Sequence, residues 1–245
     1  MANMRRLAAA PKLLYRKCNK ILLHLLGRWV LKSQSKNLEL KRFGSKHGGW
    51  TIPAHGLDAS SVCYCVGVGL DASFDFALAD RYDCRVYSFD PTPSSVAYME
   101  QAEYDRSKLH FLPLGVWNTD TELRFYYPVE DEELLSVYDL KGTGRYVVCK
   151  CQRVSSIMRD LGHSHIDLLK LDIEGAWRQV IRNIVDENVS ISIFCVELDS
   201  PTSLRLALWA IRKLKSIGLE FVHYEKDNYL FVHRTLLDPS EDVGA

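Results

Sequence analysis

The chain has 245 residues, 47% hydrophobic and 25% charged, with 31 basic and 31 acidic side chains. These values are ordinary for a globular protein and exclude a chain too short or too polar to bury a core of its own. The balanced charge hides a split: residues 1–50 carry twelve Lys and Arg against one acid, Glu39, so they stand near +11 and the remainder near −11.

In the first fifty residues, Leu14, Cys18, Ile21, Leu22, Leu25 and Trp29 recur at helical spacing among the basic residues. The apolar run from Ile21 to Val30 is broken by His24, Gly27 and Arg28. It is too short for a spanning helix, which needs about 20 apolar residues. WVLKSQSK after it is a poor cleavage site for a signal peptide. Residues 1–49 therefore read as a basic amphipathic segment, either packed on the domain that follows or lying as a helix on an anionic membrane. No nucleic-acid-binding module accompanies the charge, so nucleic acid is not the expected partner. The expected location is cytoplasmic if the segment packs on the domain, and membrane-peripheral if it lies on a membrane.

Residues 50–245 read as one domain. Apolar runs of strand length recur at Val62–Val66, Arg85–Phe89, Leu109–Leu114, Ile166–Leu171 and Ile191–Glu197, with helix-like segments between most of them. Such alternation predicts a parallel sheet covered by helices on both faces. Between Leu123 and Val154 the order loosens: LRFYYP and RYVVCKCQRV predict two extra strands around an acidic loop, Glu130–Glu133. The aromatic residues Phe125, Tyr126 and Tyr127 either wall a pocket or pack the strand. Ile173, Ala176, Trp177, Val180, Ile181, Ile184 and Val185 form one helical stripe, and Leu204, Ala207, Leu208, Ile211 and Leu214 another, with Gly218 as stop signal. LEFVHYEKDNYLFVHR predicts a closing hairpin that turns near Lys226, Asp227 and Asn228.

The seven cysteines make no regular framework. Cys63 and Cys65, like Cys149 and Cys151, fall on one face of a predicted strand and read as small core residues rather than half a zinc site. The H-x-H at His163 and His165 has no further ligands at helpful spacing. An oxygen-rich magnesium site would need Asp172, Glu197 and Asp199 to converge, and no metal is expected.

The stretch VCYCVGVGLDASFDFALADRYDCRVYSFDPTP carries the chemistry. The first strand ends at Val66, and Gly67-Val68-Gly69 permits a tight turn and a close approach of ligand to backbone. Asp71 or Ser73 is placed to cap the following helix, whose N-terminus favours an anionic group. Asp90 ends the second strand about twenty residues on, where a carboxylate accepts both hydrogen bonds of a ribose diol. The local pattern fits NAD and S-adenosylmethionine alike.

FDPTPSSV, LLKLDIEGAW and FCVELD, with this stretch and the closing hairpin, resemble the FkbM family of S-adenosylmethionine-dependent methyltransferases from about Trp50 to Val232. The resemblance implies a class I methyltransferase fold: a Rossmann-like α/β domain with a seven-stranded, mostly parallel sheet, a C-terminal antiparallel hairpin and helices on both faces. It implies S-adenosylmethionine as cofactor and O-methylation of a hydroxyl on a sugar, glycan or small metabolite. The expected cofactor-binding set is Gly67, Gly69, Asp71, Asp90, Val116 and Asp172, with the adenine near Gly115–Asn118. Asp172 and Glu174 are the expected catalytic carboxylates, and Glu197 comes third. Two departures from the family pattern stand out: Cys65 or Val66 replaces an acid before the first glycine, and Trp177 replaces a glutamate. The rival readings are an NAD-dependent oxidoreductase, which leaves DIEG and the hairpin unexplained, and a non-catalytic binding module.

Overall fold

The computed structural model describes residues 38–128, 135–139, 142–173, 175–198 and 202–237. The amphipathic stripe of residues 14–29 and the acidic loop at 130–133 lie outside these residues.

The chain begins with a short antiparallel pair, β1 (Leu40–Phe43) and β2 (Trp50–Pro53), registered Phe43 to Trp50 and Leu40 to Pro53. The sequence boundary between residues 49 and 50 falls inside this pair. The main sheet follows: β3 (Val62–Val66), α1 (Ser73–Tyr82), β4 (Arg85–Phe89), α2 (Pro93–Gln101) and β5 (Leu109–Leu112). A side sheet comes next, built from β6 (Gly115–Val116), β7 (Thr121–Tyr126) and β8 (Tyr146–Gln152). The chain returns through α3 (Val154–Leu161), β9 (Ile166–Leu171), α4 (Trp177–Asp186), β10 (Ile191–Glu197) and α5 (Leu204–Lys215). It closes with β11 (Leu219–Glu225), β12 (Asn228–His233) and a single-turn helix, α6 (Arg234–Leu237).

The main sheet has seven strands in the order β11-β12-β10-β9-β3-β4-β5. β10, β9, β3, β4 and β5 pair in parallel, and β12 is antiparallel to both neighbours. The expected fold is therefore present: a mostly parallel seven-stranded sheet with a closing antiparallel hairpin. β3 lies inside it, between β9 and β4, with all five residues buried, which is why its sequence is an unbroken apolar run rather than an alternating one. Because the chain moves from β3 toward β5 and later from β9 toward β11, a crevice forms beyond the carboxyl ends of β3 and β9, where open α/β sheets bind ligands.

The pleat of β3 divides the core. Tyr64 and Val66 pack with Trp177, Ile181, Ala207 and Leu214 on one face. Cys63 and Cys65 pack with Phe74, Leu78, Ile52 and Trp50 on the other. The predicted pairing of the C-x-C cysteines on one face holds here. Burial raises the thiols of Cys149 to about 11 and Cys151 to about 12, so both stay protonated and serve as small packing residues. Among the described residues no helix is long and apolar enough to cross a membrane.

Asp120 ties the side sheet to α3. It accepts from the backbone N–H of Arg153 at 2.8 Å and the Ser156 hydroxyl at 2.7 Å, and it pairs with the Arg153 guanidinium at 3.3 Å. Burial works against its charge, but these donors outweigh burial and hold the carboxyl down at about 2. A depressed carboxyl contributes stability that is present above its unfolded value, about 3.9, and is lost as pH falls through the folded value. Asp120→Asn is expected to cost on the order of 1 kcal/mol near neutral pH, after allowance for solvent screening. In denaturant titrations the deficit should vanish as pH falls from about 4 to about 2.

Candidate functional site

Three strand ends meet at the crevice. Gly67 N–H donates to the Phe89 carbonyl at 2.9 Å, and Asp172 N–H donates to the Val66 carbonyl at 3.0 Å, so the ends of β3, β4 and β9 lie side by side. Gly67 has φ +86°, and a Cβ there would overlap the carbonyl oxygen of Asp172. Gly69 has φ +56°, yet a Cβ on it would meet no atom within 4 Å, because it faces the open cleft. The first glycine is thus required by the neighbouring strand and the second leaves room for a ligand.

Asp90 holds the turn in place. Its Oδ2 accepts from the N–H groups of Val68 and Gly69, both at 3.0 Å. Its Oδ1 accepts from the Thr92 N–H at 2.9 Å and the Thr92 hydroxyl at 2.7 Å. A carboxylate has about four acceptor positions, and here the protein fills them all. A ribose diol would reach Asp90 only by displacing Thr92 or the turn amides. D-P-T is a recognisable side-chain turn, so the Thr92 contact was open to sequence reasoning; the bonds across to residues 68 and 69 were not.

Beneath the turn lies a charge that the sequence reading passed over. Lys170, in the middle of β9, is 2% exposed and donates from Nζ to the Gly67 carbonyl at 2.6 Å. Its Nζ lies 4.0 Å from Asp172 Oδ2. Burial alone would lower Lys170, but Asp75, Asp172 and other nearby acids outweigh it and keep the ammonium charged. Asp75 of α1 is fully buried and accepts from the Ser88 hydroxyl at 2.6 Å, while its Oδ1 has no hydrogen-bond partner. Burial pushes the Asp75 carboxyl up, against the pull of Lys170 and Ser88. A lysine inside the run LLKLD was the available signal, since a buried strand rarely holds an unpaired charge.

The cleft over this turn has a volume of about 160 Å³. Gly67, Gly69, Asp90, Val116 and Asp172 all line it, so five of the six expected cofactor residues come together. Asp71 stands apart from this lining. Its carboxylate accepts from the Ser45 hydroxyl at 2.5 Å, Gly48 N–H at 3.2 Å and Ser73 N–H at 3.0 Å, which fastens the β1–β2 loop to the start of α1, where Ala72 stands at the N-cap. Phe89, Phe125, Leu135 and Val137 supply an apolar wall. Of the aromatic trio, Phe125 lines the cleft, whereas Tyr126 packs edge-on against Tyr146. Trp177 is 5% exposed and buried among Tyr64, Val180 and Ile181 in the core, as its place on the stripe predicted. Glu174 lies outside the described residues. Among the described residues no side chain lining the cleft is a lysine or arginine.

Among the described residues no three His, Cys, Asp or Glu side chains converge as a metal site requires, and Asp199 lies outside them. His163 bonds the Tyr64 hydroxyl at 2.7 Å, and His165 bonds the hydroxyls of Ser190 and Ser192, so both members of the H-x-H have structural partners.

A family model, the methyltransferase FkbM domain, matches residues 62–208, more than half of the chain. The chain belongs to the FkbM methyltransferase family. Curated proteins returned no match. Among solved structures, the chain is similar to the fibrillarin pre-rRNA processing protein of Methanococcus jannaschii at 10% identity and a TM-score of 0.45, covering 82% of this chain and 84% of that one. It is also similar to Aeropyrum pernix fibrillarin in complex with S-adenosylmethionine, at 10% identity and a TM-score of 0.42 over 83% of this chain and 86% of that one. A third is the precorrin-6y C5,15-methyltransferase of Geobacter metallireducens, at 10% identity and a TM-score of 0.39 over 72% and 80%. Likeness at these scores decides nothing about substrate or partner.

The FkbM methyltransferases use S-adenosylmethionine, and the residues present fit it. The open side of Gly69 admits a ligand against the backbone. Val116, Phe125 and Leu135 offer the apolar wall an adenine needs. Asp172 brings a carboxylate to the cleft wall, where a cationic group would be stabilised.

Proposed function

We propose that this FkbM protein transfers a methyl group from S-adenosylmethionine to a hydroxyl oxygen of a sugar or small metabolite. One observation carries the choice of cofactor. Among the described residues the cleft is lined by carboxylates, glycines and apolar groups, with no basic side chain, and the amides of Val68 and Gly69 already bond Asp90. A pyrophosphate would meet carboxylates there and find the Val68 and Gly69 amides already taken, so the same observation tells against NAD. A ligand bearing a sulfonium and an ammonium suits it.

S-adenosylmethionine, when bound, supplies an electrophilic methyl on positive sulfur. The protein has to hold an acceptor oxygen in line with it and take away the hydroxyl proton. Asp172 is the residue for the proton: it follows β9, its side chain is 34% exposed, and it lines the cleft. Lys170 Nζ lies 4.0 Å from its Oδ2, behind the cleft wall.

Calorimetric titration with S-adenosylmethionine, S-adenosylhomocysteine and NAD tests the reading. The first two are expected to bind and NAD is not. Asp90→Ala frees the turn and should weaken cofactor binding by about 100-fold, or about 2.7 kcal/mol. Binding of NAD alone would overturn the assignment. Transfer of labelled methyl to a hydroxyl, read by mass spectrometry of the product, then tests O-methylation.

A further inference from the structure

α4 and α5 pack against each other on the Tyr64 face of the sheet, with Val180, Ile181, Ala207 and Leu214 turned into the core. Their outward sides differ from the rest of the domain in charge. The two helices hold six basic residues, Arg178, Arg182, Arg205, Arg212, Lys213 and Lys215, against one acid, Asp186. The chain after residue 50 as a whole stands near −11. Spacing of three and four residues puts Arg178 and Arg182 on one side of α4, and Arg205, Trp209 and Arg212 on one side of α5. All four arginines are exposed, and Trp209 among them is half-buried.

The guanidinium carbons of Arg178 and Arg182 stand 5.7 Å and 6.0 Å from the centroid of the Trp209 ring. A cation over an aromatic face is held by the ring quadrupole, and the contact consumes none of its N–H groups. Among the described residues, Arg178, Arg182, Arg205 and Arg212 make no hydrogen bond and no ion pair. Other arginines of the domain are engaged: Arg42 pairs with Glu225, and Arg153 with Asp120 and Glu187. Four unpaired guanidinium groups around one indole repel each other, and an anionic partner relieves that repulsion.

We propose that this arginine face of α4 and α5 docks the protein on an anionic lipid bilayer. Headgroup phosphates present oxyanions over a plane, which suits arginines spread along two helices side by side. Trp209 supplies an indole of the kind that settles at the headgroup boundary. The first 37 residues add nine basic residues, no acid and apolar positions at helical spacing, the composition of a second interfacial contact. A nucleic-acid strand would want an aromatic face open for stacking, and here two guanidinium groups stand over Trp209. The acidic remainder of the domain is repelled by the same surface, which orients the molecule. Ala176, just ahead of α4, lines the cofactor cleft, so docking sets the mouth of that cleft beside the headgroups.

The test is co-sedimentation of the full chain with large vesicles of phosphatidylcholine, alone or with about 30% phosphatidylglycerol. The protein is expected to bind the anionic vesicles only, and to bind them less as salt rises. Arg178→Gln with Arg182→Gln, and Arg205→Gln with Arg212→Gln, should each weaken that binding about tenfold. The second pair leaves the two arginine contacts to Trp209 in place, so a loss there is not a packing effect. Circular dichroism should show an unchanged fold, since all four side chains are exposed. Arg81→Gln with Arg106→Gln removes the same charge from exposed residues beside the opposite face of the sheet, where Tyr82 and Tyr104 pack. That control should stay within about twofold of the parent. Four results would each overturn the proposal: no binding to anionic vesicles, equal binding to neutral ones, binding that survives both arginine pairs, and an equal loss in the control. Tighter binding to a single-stranded oligonucleotide than to the vesicles would overturn it as well and assign the face to nucleic acid.

Discussion

Gly67→Ala is expected to destabilise the protein by about 3–5 kcal/mol and to abolish cofactor binding. Two costs add. The residue sits at φ +86°, where an L side chain is strained, and its Cβ would overlap the Asp172 carbonyl oxygen. That carbonyl belongs to the residue that follows β9, which is buried on both faces in the centre of the sheet, so neither strand has room to move aside. The loss is a large part of a typical domain stability of roughly 5–15 kcal/mol. Gly69→Ala is the informative comparison. It also has positive φ, +56°, but its Cβ would point into open cleft. It should fold with a loss of only about 1 kcal/mol and weaken S-adenosylmethionine binding through the methyl that now occupies the cleft. Urea unfolding and calorimetry on both variants separate the effects. A Gly67→Ala protein as stable as the parent would mean that β3 and β9 do not approach as described.

Lys170→Met is expected to cost about 3–5 kcal/mol, because it strands the fully buried Asp75 without its compensating cation. The Ser88 hydroxyl would remain as a partner, but Asp75 Oδ1 has none. The Gly67 carbonyl would also lose its donor at 2.6 Å, which loosens the turn that the cofactor contacts. Lys170→Met should be relieved by acid, since protonating Asp75 removes the uncompensated charge. Combined with Asp75→Asn, it should recover most of the lost stability, giving a coupling of roughly 1–3 kcal/mol in the double-mutant cycle. Additive losses in that cycle would show that Lys170 and Asp75 do not stabilise one another.

Much of the fold was legible because its signals are local. β3, β4, β9 and β10 begin and end where their predicted runs do, since a strand covered on both faces is predominantly apolar. The run Leu109–Leu114 overshoots: β5 stops at Leu112, because Pro113 has no N–H to extend the ladder. The stripe from Ile173 predicts a helix start that the structure delays to Trp177, after Gly175 at φ +71° has broken the path. Ile173 lines the cleft instead. Two errors of extent thus have the same cause, a single residue whose backbone overrides an apolar pattern.

The amino-acid order alone determined the alternation of strands and helices, the closing hairpin, the glycine turn and the family, because each is written in the spacing of neighbouring residues. The tertiary structure decided what the polar groups do. Asp90 bonds the turn rather than standing open, Asp71 fastens a loop, and Lys170 lies under Gly67 103 positions away in the chain. Arg42 and Glu225, 183 positions apart, close a pocket beside the cofactor cleft. Periodicity reports which side of an element is buried, but a carboxylate's partner is set by which strand ends the sheet brings together, and only the folded chain places them.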